Sequence, residues 1–239
     1  MKKNIPNIIT LLNLFCGCLA IRFINEWQMD KAAYLILAAL VLDYFDGMAA
    51  RLLHVHSELG KQLDSLADVV SFGVVPGFVG FQLMKHGIQL SYPDWDKYQL
   101  TSLLKASPFI ISMFSALRLA KFNLDTRQST SFIGLPTPAN TLFFMSLPLI
   151  MIHGNIALIP YIVNPFLLLF LTLLFSYLLI AEIPLFALKF KNLSFKDNSI
   201  QYIFLAISAI LIPIFLYTAI PMIIILYVIL SLINNLNKK

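Results

Sequence analysis

Stretches of about twenty apolar residues recur along the whole chain, near 7–25, 31–53, 59–86, 102–122, 137–156, 160–188, 199–217 and 219–235. Each is long enough to carry a helix across a hydrocarbon core of about 30 Å. None alternates strictly with period two, which argues against a membrane β-barrel. A backbone inside a bilayer must satisfy its own polar groups, so such a chain is confined to a polytopic all-α bundle. The spacing predicts about eight spans, of which the last two could form one re-entrant unit. Composition agrees, with 59% hydrophobic and 12% charged residues among 239 and a mean hydropathy of +0.82. There is no linker, low-complexity tract or internal repeat, so one membrane domain is expected over 1–239, with 141–239 its less constrained part.

The basic residues orient the bundle. With the N-terminus in the cytoplasm and eight alternating spans, the inside ends carry Lys2, Lys3, Arg51, Lys61, Arg118, Lys121, Arg127, Lys189, Lys191, Lys196, Lys238 and Lys239, 12 of the 17 Lys and Arg. The opposite ends keep Arg22, Lys31, Lys85, Lys97 and Lys105, accompanied by Glu26, Asp30, Asp94 and Asp96. The net charge of +5 is therefore mostly a topology signal, suited to work against anionic headgroups at the cytoplasmic membrane. Basic residues spread over loop ends leave no nucleic-acid footprint. Asn7, Thr10 and Asn13 interrupt the first apolar run, which reads as a retained span and not a cleaved signal peptide. Cys16 and Cys18, two apart, face different sides of that helix, so neither a disulfide nor a metal is expected of them.

Against this background, DYFDGMAARLLHVHSELGKQLDSLAD at 43–68 stands apart. Asp43, Asp46, Gly47 and Ala50 fall at offsets 0, 3, 4 and 7, one face of a helix. Gly60, Asp64 and Asp68 fall at offsets 0, 4 and 8, again one face. A short turn at 51–60 joins the two stretches, so antiparallel neighbouring helices are expected, with the four carboxylates converging at the cytoplasmic boundary. Gly47, Ala50 and Gly60 would allow close backbone approach or leave room for a ligand. Four converging carboxylates repel one another, and hard divalent cations such as Mg²⁺ or Mn²⁺ resolve that repulsion. A pair of such ions can bridge a phosphate, and Arg51 adds a fixed cation for a phosphate oxygen. Intramembrane acids also mark ion pathways, so a cation-coupled carrier is the rival reading. Carrier sites tend to lie at mid-bilayer on broken helices, whereas these aspartates cluster with Arg51 and Lys61 at one end.

The pattern Asp43-x-x-Asp46-Gly47-x-x-Ala50-Arg51, eight residues, then Gly60-x-x-x-Asp64-x-x-x-Asp68 resembles the signature of the CDP-alcohol phosphotransferase family. The resemblance implies two divalent metals held by Asp43, Asp46, Asp64 and Asp68, with Asp68 also the general base. It implies a CDP-diacylglycerol site lined by Gly47, Ala50, Arg51, Ser57 and Gly60, Ser57 on position alone. It also implies a homodimer.

Further phrases narrow the acceptor: PNIITLLNLFCG near the N-terminus, DSLADVVSFGVVPG at 64–77, SALRLAKFN and FIGLPTPAN at 132–140. In this order they resemble the bacterial and archaeal membrane-type phosphatidylserine synthases over about residues 5–140. That implies transfer of a phosphatidyl group from CDP-diacylglycerol to serine, with Asn7, Thr10 and Asn13 at the nucleotide and Arg118 and Asn123 at the acceptor or a phosphate. A sibling using glycerol 3-phosphate or inositol phosphate is the alternative, because Arg118, Lys121 and Arg127 could form a basic pocket. Each phrase has a plainer reading too. Asn7, Thr10 and Asn13 could simply bond between helices, Arg118 and Lys121 could be positive-inside anchors, and Gly134, Pro136 and Pro138 could be punctuation before the fifth span. His54 and His56 are expected in solvent, and Glu182 needs a partner that the sequence does not name.

Overall fold

A computed structural model of the protein describes residues 4–55, 57–125, 132–186, 194 and 198–236. Lys2, Lys3, His56, Arg127, Lys189, Lys191, Lys196, Lys238 and Lys239, used above for orientation, the connecting turn or the basic pocket, lie outside the described residues. The architecture is all-helical: α1 Ile5–Asn25, α2 Met29–Leu52, α3 Glu58–Asp68, α4 Val75–Ser91, α5 Gln99–Ala106, α6 Phe109–Leu124, α7 Thr137–His153, α8 Ile159–Ile162, α9 Pro165–Ile180, α10 Ser199–Phe215 and α11 Ala219–Leu236. One two-residue antiparallel pairing joins Phe132–Ile133 (β1) to Pro184–Leu185 (β2).

Packing inverts the soluble pattern on α1. Its buried residues are Pro6, Thr10, Asn13, Gly17, Ala20 and Ile24, a stripe at alternating spacings of four and three. Ile8, Leu11, Leu12 and Phe15 point outward, where lipid replaces water. Small and polar residues face the protein because apolar side chains gain nothing by leaving lipid tails, while close backbone approach gains dispersion and hydrogen bonds. Pro6 starts this helix without loss, since the first amides have no intrahelical acceptor.

The stripe packs along α2, along α3 and onto Val69–Val74, whereas α2 and α3 make almost no backbone contact with each other. The two helices, expected as antiparallel neighbours from the short turn, therefore meet through the side chains of Asp43, Asp64 and Asp68 and not backbone to backbone. Helix α1 wedges in against both, its hydroxyl and amide side chains giving each acidic face a hydrogen-bond donor.

Helices α3 and α4 form one unbroken run over Glu58–Ser91, with a π-helical segment at Val69–Val74. A π turn leaves carbonyls without their usual i+4 donors, and neighbouring hydroxyls supply them. Ser112 Oγ donates to Gly73 O at 2.9 Å, and Thr141 Oγ1 donates to Phe72 O at 2.8 Å. Ser71 Oγ donates to Asn13 O at 3.1 Å, tying the segment to α1. Helix α7 is buried over nearly its whole length, from Thr137 to Ile150, and forms the centre of the bundle.

Among the described residues, five helices are long and apolar enough to cross a membrane, or six if Ile156–Ile162 and Pro165–Ile180, bent by 69°, form one broken span. The expected third span runs on to Ser91, and the expected sixth ends early, at Ile180. The chain then turns extended to pair with β1, and Pro184 cannot donate to a continuing helix. The run Ser199–Leu236 holds 38 residues, about 57 Å of helix, or nearly twice a hydrocarbon core, with its break at Leu216 (φ 48°). At the end of the bundle away from the aspartates, Tyr92 stacks on Trp95 with ring centroids 4.3 Å apart, an interfacial aromatic anchor.

Gly17 is where the wedge touches the π segment. A Cβ there would sit 2.5 Å from Ser71 Oγ and 2.9 Å from Ser71 Cα. Gly17→Leu is expected to destabilise the detergent-solubilised protein by about 1–3 kcal/mol. Cys18→Leu, on the exposed side of the same helix, is expected to stay within about 0.5 kcal/mol. Thermal unfolding of the two variants checks this, and equal stability would refute the close contact.

Candidate active site

Ser57 begins α3 as its N-cap, its Oγ accepting the Gly60 amide at 3.0 Å. That cap sets the helix so that Asp64 and Asp68 turn toward α2. Carboxylate oxygens of Asp43, Asp64 and Asp68 all lie within 4.8 Å of one another. Asp46, one turn from Asp43, is buried and stands apart from that trio: its Oδ2 accepts Thr10 Oγ1 at 2.6 Å. Thr10 Oγ1 also lies 3.0 Å from Pro6 O; its single proton goes to the carboxylate, the stronger acceptor. Asn13 Nδ2 donates to Asp68 Oδ1 at 3.3 Å, and its own Oδ1 is buried without a partner.

Three half-buried carboxylates with no basic partner at hydrogen-bonding distance among the described residues are costly, because each charge has lost water and gained like-charged neighbours. Hard oxygen donors at this separation fit a divalent cation, and the orphan amide oxygen of Asn13 adds a neutral donor of the same type. The residues thus fit the metal centre that their spacing foretells, with Asp43, Asp64 and Asp68 at its heart.

Beside them opens a cavity of about 450 Å³ bounded by α1, α2 and α3. Asn7 and Thr10 line one wall, Asp46, Gly47 and Ala50 the second, and Ser57, Gly60, Lys61 and Asp64 the third. Its volume suits a nucleotide-sized group. Gly47 and Gly60 serve different ends. A Cβ at Gly47 would meet nothing within 4 Å, so that glycine keeps the cavity open. At Gly60 a Cβ would meet Ser57 Oγ at 3.0 Å and Asn7 Oδ1 at 3.2 Å, so that glycine permits close packing.

Other sequence candidates fall elsewhere. Arg51 is exposed at the end of α2 and is absent from the cavity wall. Asn123 is engaged in a tie between α6 and α3: its Nδ2 donates to Ser65 Oγ at 2.7 Å, and its carbonyl accepts Lys61 Nζ at 3.0 Å. Arg118 is buried on α6, its guanidinium 5.9 Å from the Phe122 ring centroid, with Nε lacking any hydrogen-bond partner. His54 is exposed, with φ 51°.

Two residues escaped the sequence reading as site candidates. Asn140, at the start of α7, has both amide atoms buried without a partner, and the next residue, Thr141, bonds the π segment. Glu182, exposed beyond the end of α9, shares a small cleft with Arg118. An asparagine inside FIGLPTPAN and a lone acid in an apolar run were the only signals available.

The family model described as CDP-alcohol phosphatidyltransferase matches residues 3–233. A protein of Helicobacter pylori (strain J99) named CDP-diacylglycerol–serine O-phosphatidyltransferase is 38% identical over 141 residues, covering 56% of this chain and 52% of that protein. One of the same name from Bacillus subtilis (strain 168) is 33% identical over 179 residues, 75% of this chain and 88% of that one. A third, from Methanocaldococcus jannaschii, is 34% identical over 142 residues, 59% of each. The chain thus spans about half the length of the Helicobacter relative and most of the Bacillus one.

Asn13 holds Asp68 from outside the acidic trio, and such support commonly carries about 10–100-fold in metal affinity. Asn13→Ala is expected to weaken Mn²⁺ binding by that factor, and Asp43→Asn by at least as much. Titration followed by electron paramagnetic resonance of free Mn²⁺ checks both, and wild-type affinity in either variant would remove that residue from the centre.

Proposed function

Because the chain belongs to the CDP-alcohol phosphatidyltransferase family, we propose that it transfers the phosphatidyl group of CDP-diacylglycerol to L-serine, giving phosphatidylserine and CMP. The observation that carries the reading is the convergence of Asp43, Asp64 and Asp68 beside a nucleotide-sized cavity. The choice of serine is supported by the names of the relatives. Family membership favours this enzyme over a cation-coupled carrier.

Asp43, Asp64 and Asp68, with Asp46 alongside, would hold two divalent cations, Mg²⁺ or Mn²⁺. When bound, such ions neutralise the diphosphate and the departing CMP. The protein's own groups do the rest. The cavity between α1, α2 and α3 takes the cytidine diphosphate, with Asn7, Thr10 and Gly60 on its walls and Gly47 leaving it open. Arg51, exposed next to Ala50 of the cavity wall, would offer its solvated guanidinium to a phosphate oxygen. Asp68, oriented by Asn13, takes the proton of the serine hydroxyl. The oxygen so activated attacks the phosphorus that bears diacylglycerol, the new O–P bond forms, and the bond to CMP breaks.

The same reading places the site at the cytoplasmic face of the cytoplasmic membrane. Arg51, Lys61, Arg118 and Lys121 share its end of the bundle, while the far end pairs Arg22 with Glu26 and Lys97 with Asp94. Counting Ser199–Leu236 as two crossings and α7 as one brings the topology to eight spans in a single domain. By resemblance to its family the protein works as a homodimer.

CMP release by purified protein with CDP-diacylglycerol and Mn²⁺, offered serine, glycerol 3-phosphate or inositol phosphate separately, tests the acceptor. Release with serine alone is expected, and release only with a phosphorylated alcohol would overturn it. Asp68→Asn is expected to cut turnover about 10²–10⁴-fold while CDP-diacylglycerol still binds; normal turnover would refute the base. Gly47→Leu, entering open space, is expected to keep or raise thermal stability and raise the KM for CDP-diacylglycerol. An unchanged KM would empty the cavity of that role.

A further inference from the structure

A second cleft opens between the end of α6 and the chain leaving α9. Its polar rim is Arg118, Lys121, Asp125 and Glu182, with Phe122 and Leu179 among its apolar walls. The void measures about 40 Å³, room for roughly three waters or one small polar solute. Arg118 is 7% exposed, its Nε lacks any partner, and it takes no hydrogen bond or ion pair among the described residues. The Asp68 carboxylate lies close enough to act on this guanidinium electrostatically, but the hydrogen-bonding capacity of Arg118 is left for a ligand.

Helix register puts the cleft beside the acidic trio. On α6, Ser115 abuts Gly73, where a Cβ would lie 3.0 Å from Ser115 Cβ. Eight residues on, Asn123 bonds Ser65, eight residues before Gly73. Arg118, between these two contacts, is therefore level with the Asp68 end of α3, on the protein side of α6.

Among the described residues the rim carries two cations, Arg118 and Lys121, and two carboxylates, Asp125 and Glu182. A phosphomonoester acceptor, doubly negative, would meet Glu182 as a repulsive neighbour. A small zwitterion meets complementary charge at both ends: a planar guanidinium for a carboxylate and a carboxylate for an ammonium.

We propose that Arg118 and Glu182 form the acceptor subsite, Arg118 taking the carboxylate of an α-amino acid and Glu182 its ammonium, so that Glu182 is the residue that selects a zwitterionic alcohol over a phosphorylated one. This rests on the serine reading given above and identifies the groups that enforce it. The rest of serine, its hydroxymethyl arm, is then free to extend toward Asp68.

The test uses the full chain in detergent with CDP-diacylglycerol and Mn²⁺, following CMP release. Glu182→Gln is expected to raise the KM for L-serine about ten- to a hundredfold, the loss expected when a charge-assisted bond is removed. The KM for CDP-diacylglycerol should move less than about twofold on the same estimate. 3-Hydroxypropionate, which lacks the ammonium, should be a far poorer acceptor than serine for the wild type, and Glu182→Gln should narrow that gap. Arg118→Lys should instead narrow the gap between serine and ethanolamine, which lacks the carboxylate. Wild-type serine KM in Glu182→Gln, with an active parent enzyme, would overturn this subsite alone. A parent enzyme that ignores serine and uses glycerol 3-phosphate would overturn the serine reading and this subsite together.

Discussion

Everything about the site depends on a polar stripe of α1 packed against two acidic helix faces. Thr10 donates to Asp46 at 2.6 Å and Asn13 to Asp68 at 3.3 Å, one partner on each neighbouring helix. Without that wedge, α2 and α3 would bring their carboxylates together with only each other for company. With it, two of the four aspartates have donors, the helices are held apart, and the space between becomes the cavity. In a lipid environment these hydrogen bonds have no water to compete with them, although the unfolded chain finds some alternative partners as well.

The π segment after Asp68 solves a related problem. The third long run must present Asp64 and Asp68 toward α2 and then pack Gly77 and Gly80 against Ser112 and Pro108. An α-helix of constant period would carry its faces past those partners, and the wider turn at Val69–Val74 shifts the register between them. Ser112 and Thr141 absorb the carbonyls that this shift frees. The irregularity thus sits one residue beyond the proposed base, where bonds from α1, α6 and α7 brace it.

Charge is handled differently in the two clefts. The large one, walled by Asp46, Asp64 and Glu58 with Lys61, carries an excess of carboxylate and suits cations that in turn hold a diphosphate. The small one carries both signs among its described residues, which is the basis for proposing a zwitterionic ligand there. On the proposed function, separating the two would let one helix bundle receive a lipid-anchored nucleotide and a water-soluble alcohol without either competing for the other's contacts.

The amino-acid sequence by itself determined the helical membrane class and the acidic motif. These are local properties: apolar run length and helical spacing follow from neighbours along the chain. It also marked Asn7, Thr10 and Asn13 as unusual, while leaving open whether they bonded to helices or to a ligand. Only the tertiary structure decided that Asn13 and Thr10 hold aspartates, that Gly47 guards space while Gly60 permits contact, and that Asn123 is spent on Ser65. It also brought Glu182, 64 positions further along the chain, to the cleft of Arg118. Such assignments depend on which helix packs against which, and in lipid that is set by small-residue packing and side-chain hydrogen bonds, which have no period in the sequence to announce them.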